Sequence, residues 1–95
     1  MKGNQISLAQ AIDSFIKEAR LQTGMDEARI KILWEELMGK PIARHTADMK
    51  LREEKLYLTI DSAPLKNELF YSRDKIKELL NRELGHEAIK HVLIF

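Results

Sequence analysis

Apolar residues recur at helical spacing between residues 8 and 24. Ser7 precedes this stretch, and Gln10 lies three residues further on, a pattern typical of a capping box at a helix start. Gly24 tolerates the left-handed conformation in which many helices end. The pattern therefore predicts a first amphipathic helix that ends at Gly24. Its apolar face consists of Leu8, Ile12, Phe15, Ile16 and Ala19.

A second helical stretch begins at Asp26 and ends at Gly39, shortly before Pro41. Its apolar residues follow the i, i+3, i+4, i+7, i+8 spacing of a helix with one buried face. Together with the first stretch, it predicts a hairpin of two amphipathic helices. The apolar residues of this second helix are Ile30, Leu33, Trp34, Leu37 and Met38.

After residue 46 the apolar period changes from about 3.6 to 2, as expected for a strand with one buried face. Leu56, Leu58 and Ile60 alternate with polar or amphipathic residues, while Met49 and Leu51 indicate a partner strand. The short polar segment 52–55 predicts an antiparallel hairpin, although it lacks the Asn-Gly or Asp-Gly signal of a tight turn.

The last third of the chain predicts one long helix and one strand. Ser62 is a typical N-cap with Pro64 in the first turn, and the apolar pattern continues for about 20 residues to Gly85, with a possible kink at residues 71–73. The β-branched and apolar tail 89–95 predicts a strand against one edge of the hairpin. The order α-α-β-β-α-β predicts an α+β fold with helices packed on one face of a three-stranded sheet.

Composition limits the size and class of the protein. With 95 residues and 44% hydrophobic content, residues 1–95 are expected to form a single domain around one core. The chain has no cysteine, its first residues lack the apolar segment of a signal peptide, and no apolar run is long enough to span a bilayer. These features predict a soluble cytoplasmic protein without a membrane partner.

The most specific motif runs from Trp34 to Thr46 and has the form W-x-x-L-[hydrophobic]-G-x-x-[IV]-A-x-H-T. Two strands and a helix start at residues 62–69 follow it. This combination resembles the small bacterial DciA-like family, a former domain of unknown function whose better-known members are associated with the replicative helicase. The resemblance implies a KH-like domain and a non-enzymatic adaptor that engages the hexameric helicase and helps place it on single-stranded DNA.

Within this motif, structural roles are the simpler interpretation. Trp34 lies on an apolar stripe and is predicted to be core, with stacking on a base or a partner as the alternative. Gly39 is expected to end the helix through a positive φ, and Pro41 to prevent its continuation. Residues 40–45 are predicted to form a loop, and His45 and Thr46 are expected to tie this loop to the sheet, with a phosphate or partner contact as the alternative for His45.

No pattern points to catalysis, a cofactor or a small-molecule substrate. The chain lacks a Gly-rich phosphate loop and a recognisable Ser-His-Asp set. His86 and His91 do not have zinc spacing, and no cysteine accompanies them. The Gly-x-x-Gly loop with which KH domains clamp phosphates is absent, because glycines occur only at positions 3, 24, 39 and 85.

Basic residues are the remaining functional signal, although the net charge is only +1. Residues 40–59 carry five cations against three anions. On the predicted third helix, three cations at spacings of seven and four share one side. A solvated face balanced by acidic neighbours is the simpler interpretation, but the family resemblance favours binding of single-stranded DNA or RNA. The candidate nucleic-acid contacts, chosen by charge placement, are Lys40, Arg44, Lys50, Lys66, Arg73 and Lys77.

A second hypothesis treats the protein as an interaction module whose open sheet face or edge strand binds a partner protein. In that case Tyr57 and Thr59, on the less apolar side of their strand, would contact the partner. The resemblance implies that this partner is the replicative helicase.

Overall fold

The computed structural model describes residues 7–95. It confirms an α+β fold with a three-stranded sheet. In the described part of the chain, no helix is both long enough and apolar enough to cross a membrane. The elements are α1 (Leu8–Met38), α2 (Lys40–Arg44), β1 (Thr46–Arg52), β2 (Lys55–Ile60), α3 (Ala63–Tyr71), α4 (Arg73–Leu84) and β3 (His91–Ile94).

The predicted helical hairpin is wrong, because residues 8–38 form one continuous helix of 31 residues. The predicted start is correct: Ser7 accepts a hydrogen bond from the backbone N–H of Gln10 and completes a capping box. Gly24 does not adopt a positive φ and lies inside the helix. Asp26 is not an N-cap. It is buried and contacts Nε2 of Gln22 and Nε2 of His86, each at 3.0 Å.

Packing does not require a glycine at position 24, because a Cβ built on Gly24 meets no atom within 4 Å. A glycine inside a helix costs about 0.5–1 kcal/mol relative to alanine. We therefore expect Gly24→Ala to raise the free energy of unfolding by about that amount, and the melting temperature by about 3–8 °C. Thermal denaturation followed by circular dichroism measures this change. A lower melting temperature would show that Gly24 adopts a conformation that alanine cannot.

The sheet follows the predicted strands. β1 pairs antiparallel with β2, and β3 pairs parallel with the other side of β2, so that β2 is central. The hairpin turn uses Glu53 and Glu54, whose φ angles of 49° and 66° supply the left-handed conformation that Asn-Gly usually provides. The predicted hairpin and the predicted C-terminal edge strand are both confirmed.

The predicted long third helix is divided into two helices, α3 and α4, which meet at the predicted kink. Ser62 caps α3 by accepting a hydrogen bond from Leu65 N–H at 3.4 Å, as its sequence position predicts. Ser72 then interrupts the helix, and α4 begins at Arg73. Gly85 ends α4 in the left-handed conformation, with φ 83°. Because the helix is broken at Ser72, Lys66 does not share a continuous helical face with Arg73 and Lys77.

Residues 40–45 were predicted as a loop, but most of them form the short helix α2. Gly39 separates α1 from α2 with a φ of 91°, and Pro41 lies in the first turn of α2, where a missing N–H costs little. Beyond α2, His45 Nδ1 lies 2.8 Å from Asp61 Oδ1, and the His45 carbonyl accepts a hydrogen bond from Asp61 N–H. These contacts fasten the start of β1 to the residue after β2.

The core lies between one face of the sheet and the helices. Trp34 is 2% exposed and donates a hydrogen bond from Nε1 to Thr46 Oγ1, which in turn donates to the Ile42 carbonyl. The opposite sheet face is not covered by any described helix. The buried apolar residues of this core are Ile30, Trp34, Met49, Leu51, Leu56, Leu58, Ile60, Leu69, Ile76, Leu80, Leu84, Ala88, Ile89 and Val92.

The N-terminal half of α1 projects from this core. Every residue from 7 to 22 is exposed, and the molecule measures 62 × 21 × 20 Å along its principal axes. Only the C-terminal half of α1 supplies buried apolar residues, beginning at Ile30.

Candidate nucleic-acid interface

The uncovered side of the sheet, which we term the open face, is built by strand alternation. Side chains of successive residues in a strand point to opposite faces of the sheet. The buried apolar residues of each strand face the core, and the residues between them therefore lie on the open face. The strands thereby bring together residues from three distant parts of the chain. The open face consists of Asp48, Lys50, Arg52, Lys55, Tyr57, Thr59, His91, Leu93 and Phe95.

Two stacked aromatic rings occupy this face. The ring centroids of Tyr57 and Phe95 are 6.1 Å apart, and their planes differ by 15°. Phe95 extends the pairing of β3, since its N–H donates to the Leu58 carbonyl and its carbonyl accepts from Ile60 N–H. The Phe95 side chain is 53% exposed, so an aromatic surface remains available to a ligand.

Two lysines and one carboxylate lie near the aromatic pair on this face. Lys50 lies opposite Tyr57 in the β1–β2 register, and Lys55 lies two residues before Tyr57 on the same strand. Lys50 Nζ is 3.9 Å from Asp48 Oδ2, and Arg52 bends towards Glu27 on α1 at 3.5 Å. The Lys50 pair is long and exposed on both sides, which leaves Lys50 largely free to contact an anion. Arg52 is held more firmly, because Glu27 is 22% exposed and Arg52 also donates to the Leu51 carbonyl at 3.0 Å.

A second group of cations adjoins the open face beside β3. Arg73 and Lys77 of α4 line a depression together with Lys55 and His91, which also belong to the open face. Lys90 lines the same depression and pairs with Glu54 at 3.5 Å, while Asp74 is its one acidic lining residue. Among residues 7–95, Lys55 and Lys77 form no ion pair. Positive charge therefore continues from the sheet onto α4.

The side chain of Arg73 is held in place by its neighbours. Its guanidinium carbon lies 3.8 Å from the centroid of the Phe70 ring, and its Nε donates to the Phe70 carbonyl at 2.8 Å. Such a cation–π contact fixes the orientation of the guanidinium without neutralising its charge.

The six nucleic-acid contacts predicted from charge placement lie in different places. Lys50 is on the open face, and Arg73 and Lys77 adjoin it. Lys40 and Arg44 line another cleft, which also contains Glu35 and shares Asp48 with the open face. Lys66 is exposed on α3 and is not among the residues that line either depression.

The residues predicted to bind a protein partner share a face with the predicted nucleic-acid contact Lys50. Tyr57 is half-buried beside Phe95, and Thr59 is exposed two residues further along β2. Sequence reasoning did not identify Phe95, Lys55 or His91 as site residues. The sequence gives little signal for them, because Leu93 and Phe95 are as apolar as Val92 and Ile94, with which they alternate.

Within residues 7–95, no three His, Asp or Glu side chains come close enough together to hold a metal ion. The cationic and aromatic side chains of the open face instead match the two chemical features of a single nucleic-acid strand. The aromatic rings can stack on bases, and the lysines can neutralise phosphates.

Comparison with known proteins identifies one family. The family model described as "Dna[CI] antecedent, DciA" matches residues 7–94. A UPF0232 protein of Corynebacterium glutamicum (strain R) is 32% identical over 62 residues, which are 65% of this chain and 35% of that relative. The aligned part thus spans about a third of the length of that relative. No solved structure matches the chain, so the KH-like description stays a prediction.

Proposed function

Because the chain belongs to the DciA family, which is associated with loading of the replicative helicase, we propose that it is a non-enzymatic adaptor that binds single-stranded DNA. The observation that carries this proposal is the stacked pair of Tyr57 and Phe95 with Lys50 and Lys55 beside it on an uncovered sheet. The helicase is the proposed protein partner.

The open face fits a single strand better than a duplex. Bases of a single strand are free to stack on an aromatic side chain, whereas those of a duplex are already stacked on each other. Lys50 and Lys55, which neighbour Tyr57 on β1 and β2, would contact phosphates and release counterions, which gives an affinity that falls with salt. Recognition of this kind depends little on base sequence, because every base has a face that can stack.

The proposed interface differs from that of a KH domain, which holds phosphates with a Gly-x-x-Gly loop. The family resemblance suggests a KH-like domain, but no backbone clamp of that type is present to hold phosphates. The proposed interface is therefore the sheet surface and the adjoining depression at Arg73 and Lys77.

Fluorescence anisotropy of labelled single-stranded DNA, duplex DNA and single-stranded RNA, at about 50 and 200 mM salt, tests the proposal. We expect single-stranded DNA to bind at the lower salt concentration and to lose affinity steeply at the higher one. Absence of binding at 50 mM salt would refute it. The open face would then remain a candidate for a protein partner, tested by capture of purified replicative helicase.

Replacing Tyr57 with alanine should weaken binding of single-stranded DNA about 5- to 100-fold, because one stacked base contributes about 1–3 kcal/mol. Tyr71→Ala is the matched control, since Tyr71 is 80% exposed at the end of α3 and does not belong to the open face. The two variants are compared by anisotropy at one salt concentration. Equal affinities for Tyr57→Ala and the unmodified protein would exclude Tyr57 from the interface.

A further inference from the structure

The projecting half of α1 carries an uncovered apolar face. Leu8 and Phe15 are 78% and 71% exposed, and Ile12 and Ile16 are also large and exposed. At 100° per residue, the side chains of Leu8, Ile12, Phe15, Ile16 and Ala19 span a sector about 100° wide that contains no charged residue. A sector of this width is typical of a helix face that packs against another element.

This face is in phase with the face by which α1 packs against the sheet. Ile12 lies 18 residues, or five helical turns, before the buried Ile30. Ile16 has the same relation to the buried Trp34. The apolar face of α1 is therefore continuous, but the sheet covers only its C-terminal half.

An isolated helix of this length needs additional stabilisation. Residues 8–22 form four turns without a buried residue, and helices of about 12–15 residues are marginal in water when no packing supports them. The β-branched and aromatic residues on the face lower the helix propensity further. A partner on the apolar face would supply the missing stabilisation.

We infer that the projecting half of α1 pairs antiparallel with the same segment of a second copy of this chain. The intervals from Leu8 to Ile12, Phe15 and Ala19 are four, three and four residues, which is the core spacing of a coiled coil. In a two-fold pair centred between residues 13 and 14, Ile12 lies opposite Phe15 of the second copy, and Leu8 opposite Ala19. The segment is thus complementary to itself, as a two-fold interface requires.

The position of the sheet selects the antiparallel arrangement. The sheet packs on the same side of α1 as the exposed apolar face, so in a parallel pair both sheets would lie at one end and each would occupy the space of the partner helix. Helices in contact are only 8–10 Å apart, whereas each body is about 20 Å wide. In the antiparallel pair the two bodies lie at opposite ends and do not collide.

A groove at the base of the projecting half would receive the end of the partner helix. Phe15, Ile16 and Ala19 line this groove on one side, and residues 51–54 of the β1–β2 hairpin line the other. In the proposed register, Leu8 of the second copy lies opposite Ala19 and enters the groove. The hairpin therefore adds contact area beyond that of the two helices.

The buried area predicts a weak dimer. The exposed apolar side chains amount to about 400 Å² per copy, roughly half of the 800 Å² that each partner contributes to a standard interface. We expect a dissociation constant of order 10–100 µM, so that dimers form at high protein concentration. The proposal does not depend on nucleic-acid binding, because Arg52 is the one residue of the open face that also lines the groove.

Analytical ultracentrifugation of the full chain between about 1 and 500 µM tests the proposal. We expect a shift from monomer to dimer with rising concentration, and a monomer throughout for Phe15→Glu. Leu21→Glu is the matched control, since Leu21 is 68% exposed on the opposite side of α1, and it should dimerise normally. A wild-type monomer at 500 µM, or a monomeric Leu21→Glu variant, would overturn the proposal.

Cysteine cross-linking tests the register and is simple to interpret, because the natural chain has no cysteine. A mixture of Leu8→Cys and Ala19→Cys chains should form a disulfide-linked heterodimer under mild oxidation. Leu8→Cys alone should cross-link poorly, since the two cysteines of an antiparallel pair lie about 16 Å apart along the axis. Efficient cross-linking of Leu8→Cys alone would indicate a parallel pair and overturn the antiparallel arrangement.

Discussion

Replacing Trp34 with alanine is expected to lower the free energy of unfolding by about 3–5 kcal/mol. The indole is 2% exposed and joins α1 to the start of β1. Its removal leaves a cavity between helix and sheet and deprives Thr46 Oγ1 of a hydrogen-bond donor at 2.9 Å. A loss of this size is a large fraction of the 5–15 kcal/mol by which small domains are stable.

Urea denaturation followed by circular dichroism measures this effect, since the variant lacks the chain's single tryptophan and its fluorescence. Trp34→Phe keeps most of the ring but cannot donate to Thr46, so we expect a smaller loss of about 1–2 kcal/mol. Ile32→Ala is the control on the same helix, because Ile32 is 68% exposed and should change stability by less than about 0.5 kcal/mol. Similar unfolding midpoints for Trp34→Ala and Ile32→Ala would contradict a core role.

The continuity of α1 shows which part of the sequence signal was missed. Gly24 is typical of a helix end and Asp26 of a helix start, but neither residue has that role here. Asp26 instead contacts His86, which lies 60 residues further along the chain. The spacing of the apolar residues, in contrast, indicates one continuous helix. Ile12 and Ile30 are separated by a whole number of turns, which a continuous helix explains and a hairpin does not require.

The strands were predictable because alternation of buried and exposed residues is a local property. Leu56, Leu58 and Ile60 are all buried in β2, as their spacing predicts. The parallel direction of β3 follows from the path of α3 and α4 across the sheet, a tertiary feature with no local signal. That direction places Phe95 beside Tyr57, so the aromatic part of the site could not be deduced from the pattern alone.

The grouping of charged residues could be predicted only where the structure contains the helix or strand on which the prediction was based. The spacing of Lys66, Arg73 and Lys77 assumed one helix, and the break at Ser72 separates Lys66 from the other two. Lys55 and Lys77 come together because α4 packs along β3, which joins residues 22 positions apart. Charge counting along the sequence cannot find such a pair.

The double reversal Lys50→Glu and Lys55→Glu is expected to weaken single-stranded DNA binding roughly 100-fold at low salt, because two phosphate contacts are replaced by repulsion. Lys50 is exposed and Lys55 half-buried at the sheet surface, so the fold should persist. The slope of log affinity against log salt should also decrease by about 0.7 for each lost contact. Anisotropy titrations at several salt concentrations measure both quantities.

Lys66→Glu combined with Lys75→Glu is the matched control for this reversal. Both residues are exposed on α3 and α4, lie outside the open face, and change the net charge by the same amount. If long-range attraction alone determined the affinity for single-stranded DNA, both double variants would lose affinity equally, since this attraction depends on total charge and is screened over about 8–10 Å at physiological salt. If the sheet contacts the strand directly, only the first double variant loses affinity. If the control variant lost more affinity than the sheet variant, the strand would bind the helices instead of the open face.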